Sequence, residues 1–372
     1  MQLKLNQQGF SWEEIAKTAS LEELSGWQML HDDEQNTLIF CREWLRGKKS
    51  FTLHTSGSTG SPKPVIIERS QMQASARMTA TALGLGKGDK ALVCLNTAYV
   101  AGKMMLVRGF EIGMEMIIMT PRANPLTAMG ADDHFHFTAL VPMQLKTILE
   151  ETPEKLAILH GMKAILVGGG LVNHTLENAL QGIHAPVYST YGMTETVSHI
   201  ALRRLNGKDK SDVYEVLEGI EIGSDERGCL KIKGAVTGHH EIITNDRVTI
   251  SDSKHFRWLG RIDHVINTGG VKVQAEMLEE AIEKIFAQLQ IQRKFFVAGL
   301  PDERLGEKVV LIIEGKDVGI SVQQPLRQLL SEDTHAYAIP KAVYYLPSFY
   351  LTPTGKIARE TNLKRLLEGM NT

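Results

Sequence analysis

Three cysteines in 372 residues, Cys41, Cys94 and Cys229, are too few and too scattered for a disulfide framework or a metal-ligand spacing. A reduced, cytoplasmic setting fits them. No apolar run approaches the length that spans a bilayer, and the opening Met1-Gln-Leu-Lys-Leu-Asn6 lacks the apolar core of a signal peptide. Excess positive charge is missing too: the formal net charge is −2, which argues against a nucleic-acid binder working through bulk electrostatics. What remains is the composition of a globular protein, 43% hydrophobic and 23% charged, in a chain long enough for two domains.

The densest chemistry lies in nine residues, Thr55, Ser56, Gly57, Ser58, Thr59, Gly60, Ser61, Pro62 and Lys63, directly after the strand-like Ser50–His54. Glycines let backbone approach an anion, N–H groups and hydroxyls donate to phosphate oxygens, and a lysine supplies charge. A flexible Ser/Gly linker is the plain alternative, but a linker has no need of Pro-Lys after its glycines. The spacing G-x-x-x-x-G-K-[ST] of the common nucleotide P-loop cannot be threaded through Gly57, Gly60 and Lys63. A phosphate loop of another type is expected.

Residues 1–50 read as a small helical lead-in, with capping-box patterns at Ser11-Trp-Glu-Glu and Ser20-Leu-Glu-Glu. From Glu68 to about Thr196 helical patterns (69–85, 101–112) alternate with strand patterns (90–96, 114–119, 137–141, 162–167, 186–189), which predicts a mostly parallel sheet with ligands at the strands' C-terminal ends. Short turn-punctuated strands over 211–260 predict a small antiparallel β-rich subdomain. The last hundred residues predict a compact α+β piece with a helix over 274–289, strands at 294–298, 308–314 and 342–346, and a helix near 322–330. The fold class is therefore α/β, a large N-terminal domain over 1–260 and a small C-terminal domain over 264–372.

Four further stretches carry candidate chemistry. Gly168, Gly169 and Gly170 follow a strand and precede a helix, which suits either close approach of a flat group or a tight turn. Tyr188–Glu195 clusters a tyrosine, a threonine and a carboxylate at a strand end; Glu195 beside a phosphate site suits Mg²⁺, and a capping threonine with a solvated glutamate is the alternative. Gly260-Arg-Ile-Asp263 precedes Gly269 and Gly270, an ion-paired turn or a loop that changes conformation. Lys356 lies in the turn-like Thr352-Pro-Thr-Gly-Lys-Ile357.

In this order these stretches resemble the signatures of the acyl- and aryl-adenylating enzymes, the family of acyl-CoA synthetases, luciferases and peptide-synthetase adenylation domains. The resemblance implies two half-reactions, with ATP, Mg²⁺ and CoA as the small molecules handled: a carboxylic acid becomes an acyl-adenylate with release of pyrophosphate, then a thioester. It implies that Thr55, Ser56, Gly57, Ser58, Thr59, Gly60 and Lys63 hold phosphates, and that Gly168–Gly170 lie against adenine and acyl group. Tyr191 would stack on adenine within the motif that includes Gly192 and Met193, Thr194 would meet the α-phosphate, and Glu195 would hold the metal. Thr244-Asn245-Asp246 stands where the family commonly has Thr-Gly-Asp, so Asp246 would accept the ribose hydroxyls; asparagine tolerates the left-handed backbone that a glycine there adopts. Arg261 would lie near the ribose, residues 261–263 would form a hinge pivoting on Asp263, Gly269 and Gly270 would face the CoA thiol, and Lys356 would be the catalytic lysine.

The family usually carries well over a hundred residues before its phosphate loop; 54 precede it here, so a compact member is expected, the missing segment dispensable or supplied by a partner. The motifs look most like those of the branch that activates o-succinylbenzoate, an aromatic keto-diacid of menaquinone biosynthesis. Its second carboxylate would need a cationic or polar anchor, for which Lys103, Arg108, Ser198 and His199 are candidates. Another aryl- or acyl-CoA (or carrier-protein) ligase shares every motif, and an inactive nucleotide-binding protein of the same fold is the non-enzyme alternative.

Overall fold

The computed structural model describes residues 2–5, 8–54, 64–130, 132–333, 335–352 and 355–370. The phosphate loop read at 55–63 lies outside them. Among the described residues a thirteen-stranded sheet dominates. Its centre is parallel, in the order Val187–Gly192, Ala164–Val167, Phe137–Leu140, Lys90–Val93, Glu115–Ile118. The inner three, Ala164–Val167, Phe137–Leu140 and Lys90–Val93, are short and almost wholly buried because helices cover both faces. One face packs the helices Asp32–Leu45, Arg69–Leu83 and Val100–Ile112 through Trp44, Met72, Ala76 and Met104. The other packs Pro142–Glu151, Leu156–His160 and His174–Ala179 through Leu145, Ile158 and Leu176.

Local chemistry sets the helix ends. Gln71 reaches back to the Glu68 N–H at 2.8 Å to open the Arg69–Leu83 helix, and Gly84 closes it at φ 62°. Gly113 closes the Val100–Ile112 helix in the same left-handed way. Inside that helix Gly102 and Gly109 lie so close to the Asn96 carbonyl and the Met116 side chain that any Cβ would overlap them.

The lead-in has its expected helices, Trp12–Lys17 and Asp32–Leu45, but opens on two strands that the helical reading did not include. Gln2–Leu5 and Gln8–Ser11 form an antiparallel pair that adds to the sheet edge beside Glu115–Ile118, burying Leu3, Leu5 and Phe10. Four-residue strands hold too few residues for a readable alternation. Ser11 makes no capping bond, whereas Ser20 accepts from the Glu22 N–H. At the other edge the β-rich segment is antiparallel throughout and is hydrogen-bonded to the parallel part through Tyr214–Val216 and His199–Arg204.

The large sheet's strand His255–Arg261 is followed by one short turn, Ile262–His264, and then a separate five-stranded sheet begins at Val265. Two cores flank it, one under the helices Ala275–Gln288 and Ile320–Asp333, the other under Arg359–Met370. No helix among the described residues is long and apolar enough to cross a membrane.

Candidate active site

Strand pairing assembles the centre of the site. Tyr191 ends one strand, Asp246 sits in Ile242–Asp252, and Asp246 pairs in register with Arg261. The Tyr191 hydroxyl donates to Asp246 Oδ2 at 2.8 Å, and the Trp258 indole N–H donates to Oδ1 at 3.2 Å. Each carboxylate oxygen thus holds one protein donor and keeps a lone-pair direction for a ligand hydroxyl. Burial and the adjoining Asp246 carboxylate push the Tyr191 phenol well up, so it remains a donor. Its ring stands edge-on to Tyr214 and Phe256, which stack on each other. Trp258 had no signal in the sequence; only the register of the neighbouring strand brings it to Asp246.

Asn245 does not take the left-handed backbone considered for it, since Val197, His239 and Gln290 are the described non-glycine residues at positive φ. Its amide instead donates to both Asp263 oxygens at 3.3 and 3.4 Å, and Asp263 is ion-paired with Arg261. The Arg261 peptide is held from beyond the turn: its carbonyl accepts from Gln274 Nε2 at 2.7 Å and its N–H donates to Glu276 at 3.3 Å.

Lys356 arrives at this centre from the far end of the chain. Its turn is pinned by the Thr352 hydroxyl, which accepts from the Lys356 N–H at 3.1 Å, and by Arg359, paired with Glu279 at 2.6 Å. Lys356 keeps an exposed surface, yet the surrounding protein and Arg261 lower its pKa while Asp246 opposes them. Both named partners belong to the Asp246–Arg261 pair, whose charges are the ones that act on the ammonium.

Thr194 is buried and Glu195 exposed on the short turn Thr194–Thr196. Behind them Val197, fully buried, has φ 66° and ψ −52°, with the Ser198 N–H donating to the Thr196 carbonyl at 2.7 Å. A β-branched residue in such a γ-turn costs on the order of 1–3 kcal/mol and persists only where neighbours over-determine it. Here the Thr196 hydroxyl binds the Met193 N–H at 3.0 Å and the Ser198 carbonyl at 2.8 Å. Gly192 completes the lock, because a Cβ there would overlap the Ser198 carbonyl oxygen. Replacing Gly192 by alanine is expected to cost about 1–3 kcal/mol of stability by overpacking, measured as a lowered denaturation midpoint with an unchanged m-value.

The glycine runs have geometric reasons. A Cβ on Gly168 would meet the Thr190 hydroxyl, and Gly169 has φ 78°. Gly269 and Gly270, at φ 57° and 80°, form the two-residue turn of the hairpin Val265–Thr268/Val271–Gln274, where both central positions need positive φ. Tyr337 lies against Gly269 where a Cβ would stand.

The acid-anchor candidates separate. Lys103 donates to the Ala98 carbonyl at 2.8 Å and lies over the Phe40 ring, while Arg108, five residues on and so about 140° around the helix, points the other way. Arg108 is 2% exposed. Its Nη2 donates to Ser198 Oγ at 2.9 Å and lies 3.5 Å from His199 Nδ1, its Nε donates to Thr79 at 3.2 Å, and its Nη1 has Met105 sulfur at 4.0 Å. Among the described residues no carboxylate pairs with it. Burial lowers the guanidinium to about 9, which still leaves it charged at neutral pH, and burial followed by Arg108's charge holds His199 well below its usual range.

The AMP-binding enzyme family matches residues 36–219, which contain the 55–63 loop, the three glycines and Tyr191–Glu195. A solved acyl-CoA synthetase (AMP-forming)/AMP-acid ligase II-like protein from Dyadobacter fermentans is 42% identical, with 91% of this chain and 97% of that chain covered and a TM-score of 0.61. The chain belongs to the AMP-binding enzyme family. It is also similar to the 2-succinylbenzoate–CoA ligase of Bacillus cytotoxicus, 25% identical over 362 residues, 90% of this chain and 73% of that protein. The o-succinylbenzoate–CoA synthetase of Bacillus subtilis, solved with its acyl-adenylate intermediate, shares the fold at 21% identity and a TM-score of 0.69, over 84% of this chain and 68% of that one. Adenylate-forming enzymes of this fold have a large N-terminal and a small C-terminal domain, and the two sheets follow that plan.

Proposed function

We propose that this chain is an AMP-forming acid–thiol ligase that activates o-succinylbenzoate with ATP and passes the acyl group to CoA. The observation that carries the choice of acid is Arg108, a buried cation with no carboxylate partner among the described residues, beside Ser198 and His199, which follow the Tyr191–Glu195 segment. A buried unpaired charge is costly, and an anionic ligand removes that cost. An acid with two carboxylates supplies one for Arg108 and one for the chemistry. Relatives named 2-succinylbenzoate–CoA ligases support the same acid.

The reacting carboxylate is ionised at neutral pH, so its attack on the α-phosphorus of ATP needs no general base. It needs in-line positioning and neutralised charge. We assign Asp246, held by Tyr191 and Trp258, to the ribose hydroxyls; Thr194 to the α-phosphate; the 55–63 loop with Lys63 to the outer phosphates; and Lys356 to the developing charge. Among the described residues no group of three His, Cys, Asp or Glu side chains forms a metal cage. Magnesium binds through one or two carboxylates and substrate phosphates, so the exposed Glu195 alone fits it and would hold it where it neutralises phosphate charge. For the second step the unit after residue 263 turns about 261–263, withdraws Lys356 and brings the Gly269–Gly270 turn to the thiol.

Pyrophosphate release with ATP and Mg²⁺ tests the reading, with o-succinylbenzoate offered against benzoate, acetate and a medium-chain fatty acid, with and without CoA. Release selective for o-succinylbenzoate, with a thioester formed only when CoA is present, is expected. Selectivity for another acid would keep the chemistry and reject the substrate. No release with any acid, despite ATP binding, would reject the enzyme reading.

A further inference from the structure

Thr79, on the Arg69–Leu83 helix, is fully buried, and its side chain meets three groups at once. Its hydroxyl donates to the Ser75 carbonyl at 2.9 Å. That bond uses its single proton, so the other two neighbours of the oxygen must both be donors. They are Arg108 Nε at 3.2 Å and His199 Nε2 at 3.1 Å. His199 therefore carries its proton on Nε2, and Nδ1 is a lone pair. This nitrogen lies 3.5 Å from Arg108 Nη2 and 3.4 Å from Ser198 Oγ. A guanidinium has only donors, so a lone pair is what it requires there. With Nε and Nη2 so engaged, Nη1 is left, among the described residues, with the weak Met105 sulfur contact.

We propose that Thr79 is a positioning residue for acid recognition: through one oxygen it fixes both the Arg108 guanidinium and the His199 tautomer, leaving the Nη1 corner for the substrate's second carboxylate. The proposal rests on the reading of Arg108 as the acid anchor. Without the Thr79 oxygen, Arg108 Nε loses its acceptor and His199 is free to move its proton to Nδ1. That proton would face Arg108 Nη2 donor to donor and swing the guanidinium away.

The test compares o-succinylbenzoate with 4-oxo-4-phenylbutanoate, the same acid lacking the ring carboxylate, in the wild type, Thr79→Val and Thr79→Ser. Valine keeps the shape of threonine without the acceptor, and serine keeps the acceptor. In Thr79→Val, KM for o-succinylbenzoate is expected to rise about tenfold, the effect of one charge-assisted hydrogen bond. The kcat, the KM for ATP and the KM for the phenyl analogue stay as in the wild type, and Thr79→Ser restores the preference. A wild type that does not prefer o-succinylbenzoate removes the reading of Arg108 itself. A wild type that does, with a valine variant that keeps the preference or loses both acids alike, overturns the role of Thr79 alone. Should the valine variant not fold, long-range ¹H–¹⁵N spectra of the wild type decide: a neutral His199 protonated on Nε2 is expected, and a proton on Nδ1 or a charged ring overturns the proposal.

Discussion

Arg108→Met is expected to raise KM for o-succinylbenzoate at least about 30-fold, the lower end of the 2–5 kcal/mol lost when one partner of a buried charge pair is truncated. KM for ATP is expected to stay unchanged, because Arg108 touches Thr79, Met105, Ser198 and His199 and none of the Tyr191–Asp246–Arg261 group. The second arm of this expectation is stability. Replacing buried ion pairs by apolar residues of similar volume is often neutral or stabilising, and Arg108→Met leaves no opposite charge uncompensated among the described residues, so urea unfolding of the ligand-free variant is expected at a midpoint no lower than that of the wild type. A large loss of stability with unchanged KM would make Arg108 a packing residue. Arg108→Lys is expected to recover little, since a lysine lacks the planar fork that can hold Thr79, Ser198 and a carboxylate together.

Lys356→Ala is expected to slow acyl-adenylate formation by about 10²–10³-fold, the range for removing one preorganised donor to developing charge. Thioester formation from supplied acyl-adenylate is expected to proceed as in the wild type. The asymmetry follows from the proposed roles: the charges of Asp246 and Arg261 act on Lys356 in this orientation, and the proposed turn about 261–263 takes it away for the second step. Separate single-turnover assays of the two half-reactions check it. Equal loss in both would contradict the turning of the C-terminal unit.

The parallel centre of the sheet was legible because buried strands such as Ala164–Val167 are apolar at every position and alternate with helical patterns. The motif residues stood out through the resemblance to the adenylating family instead: Tyr191 lies near the end of one strand, Thr194 and Glu195 follow it, and Asp246 and Arg261 lie on an antiparallel pair. Other features depend on tertiary register. Trp258 reaches Asp246 only because the Ile242–Asp252 and His255–Arg261 strands pair as they do. Val197 at positive φ contradicts the preference of its residue type, and only the Thr196 bonds and the closeness of Gly192 impose it. Among the four anchor candidates the sequence offered no ranking. Lys103 and Arg108 share one helix about 140° apart, and which of the two faces Ser198 and His199 appears only when the helix is docked. In the sequence Gly269 and Gly270 suit a loop that changes conformation or lies close to a ligand; a tight hairpin turn accounts for both glycines geometrically.

In the proposed reaction the acid is joined to AMP before it reaches the thiol. Carboxylate-¹⁸O-labelled o-succinylbenzoate, turned over with ATP, Mg²⁺ and CoA, tests this most directly by mass spectrometry of the nucleotide product. Attack by a carboxylate oxygen on the α-phosphorus, followed by expulsion of AMP when the thiol adds to the carbonyl carbon, leaves one labelled oxygen in AMP. One ¹⁸O per AMP, with unlabelled pyrophosphate, is the predicted result. Unlabelled AMP, or ADP with labelled inorganic phosphate, would rule out an acyl-adenylate intermediate.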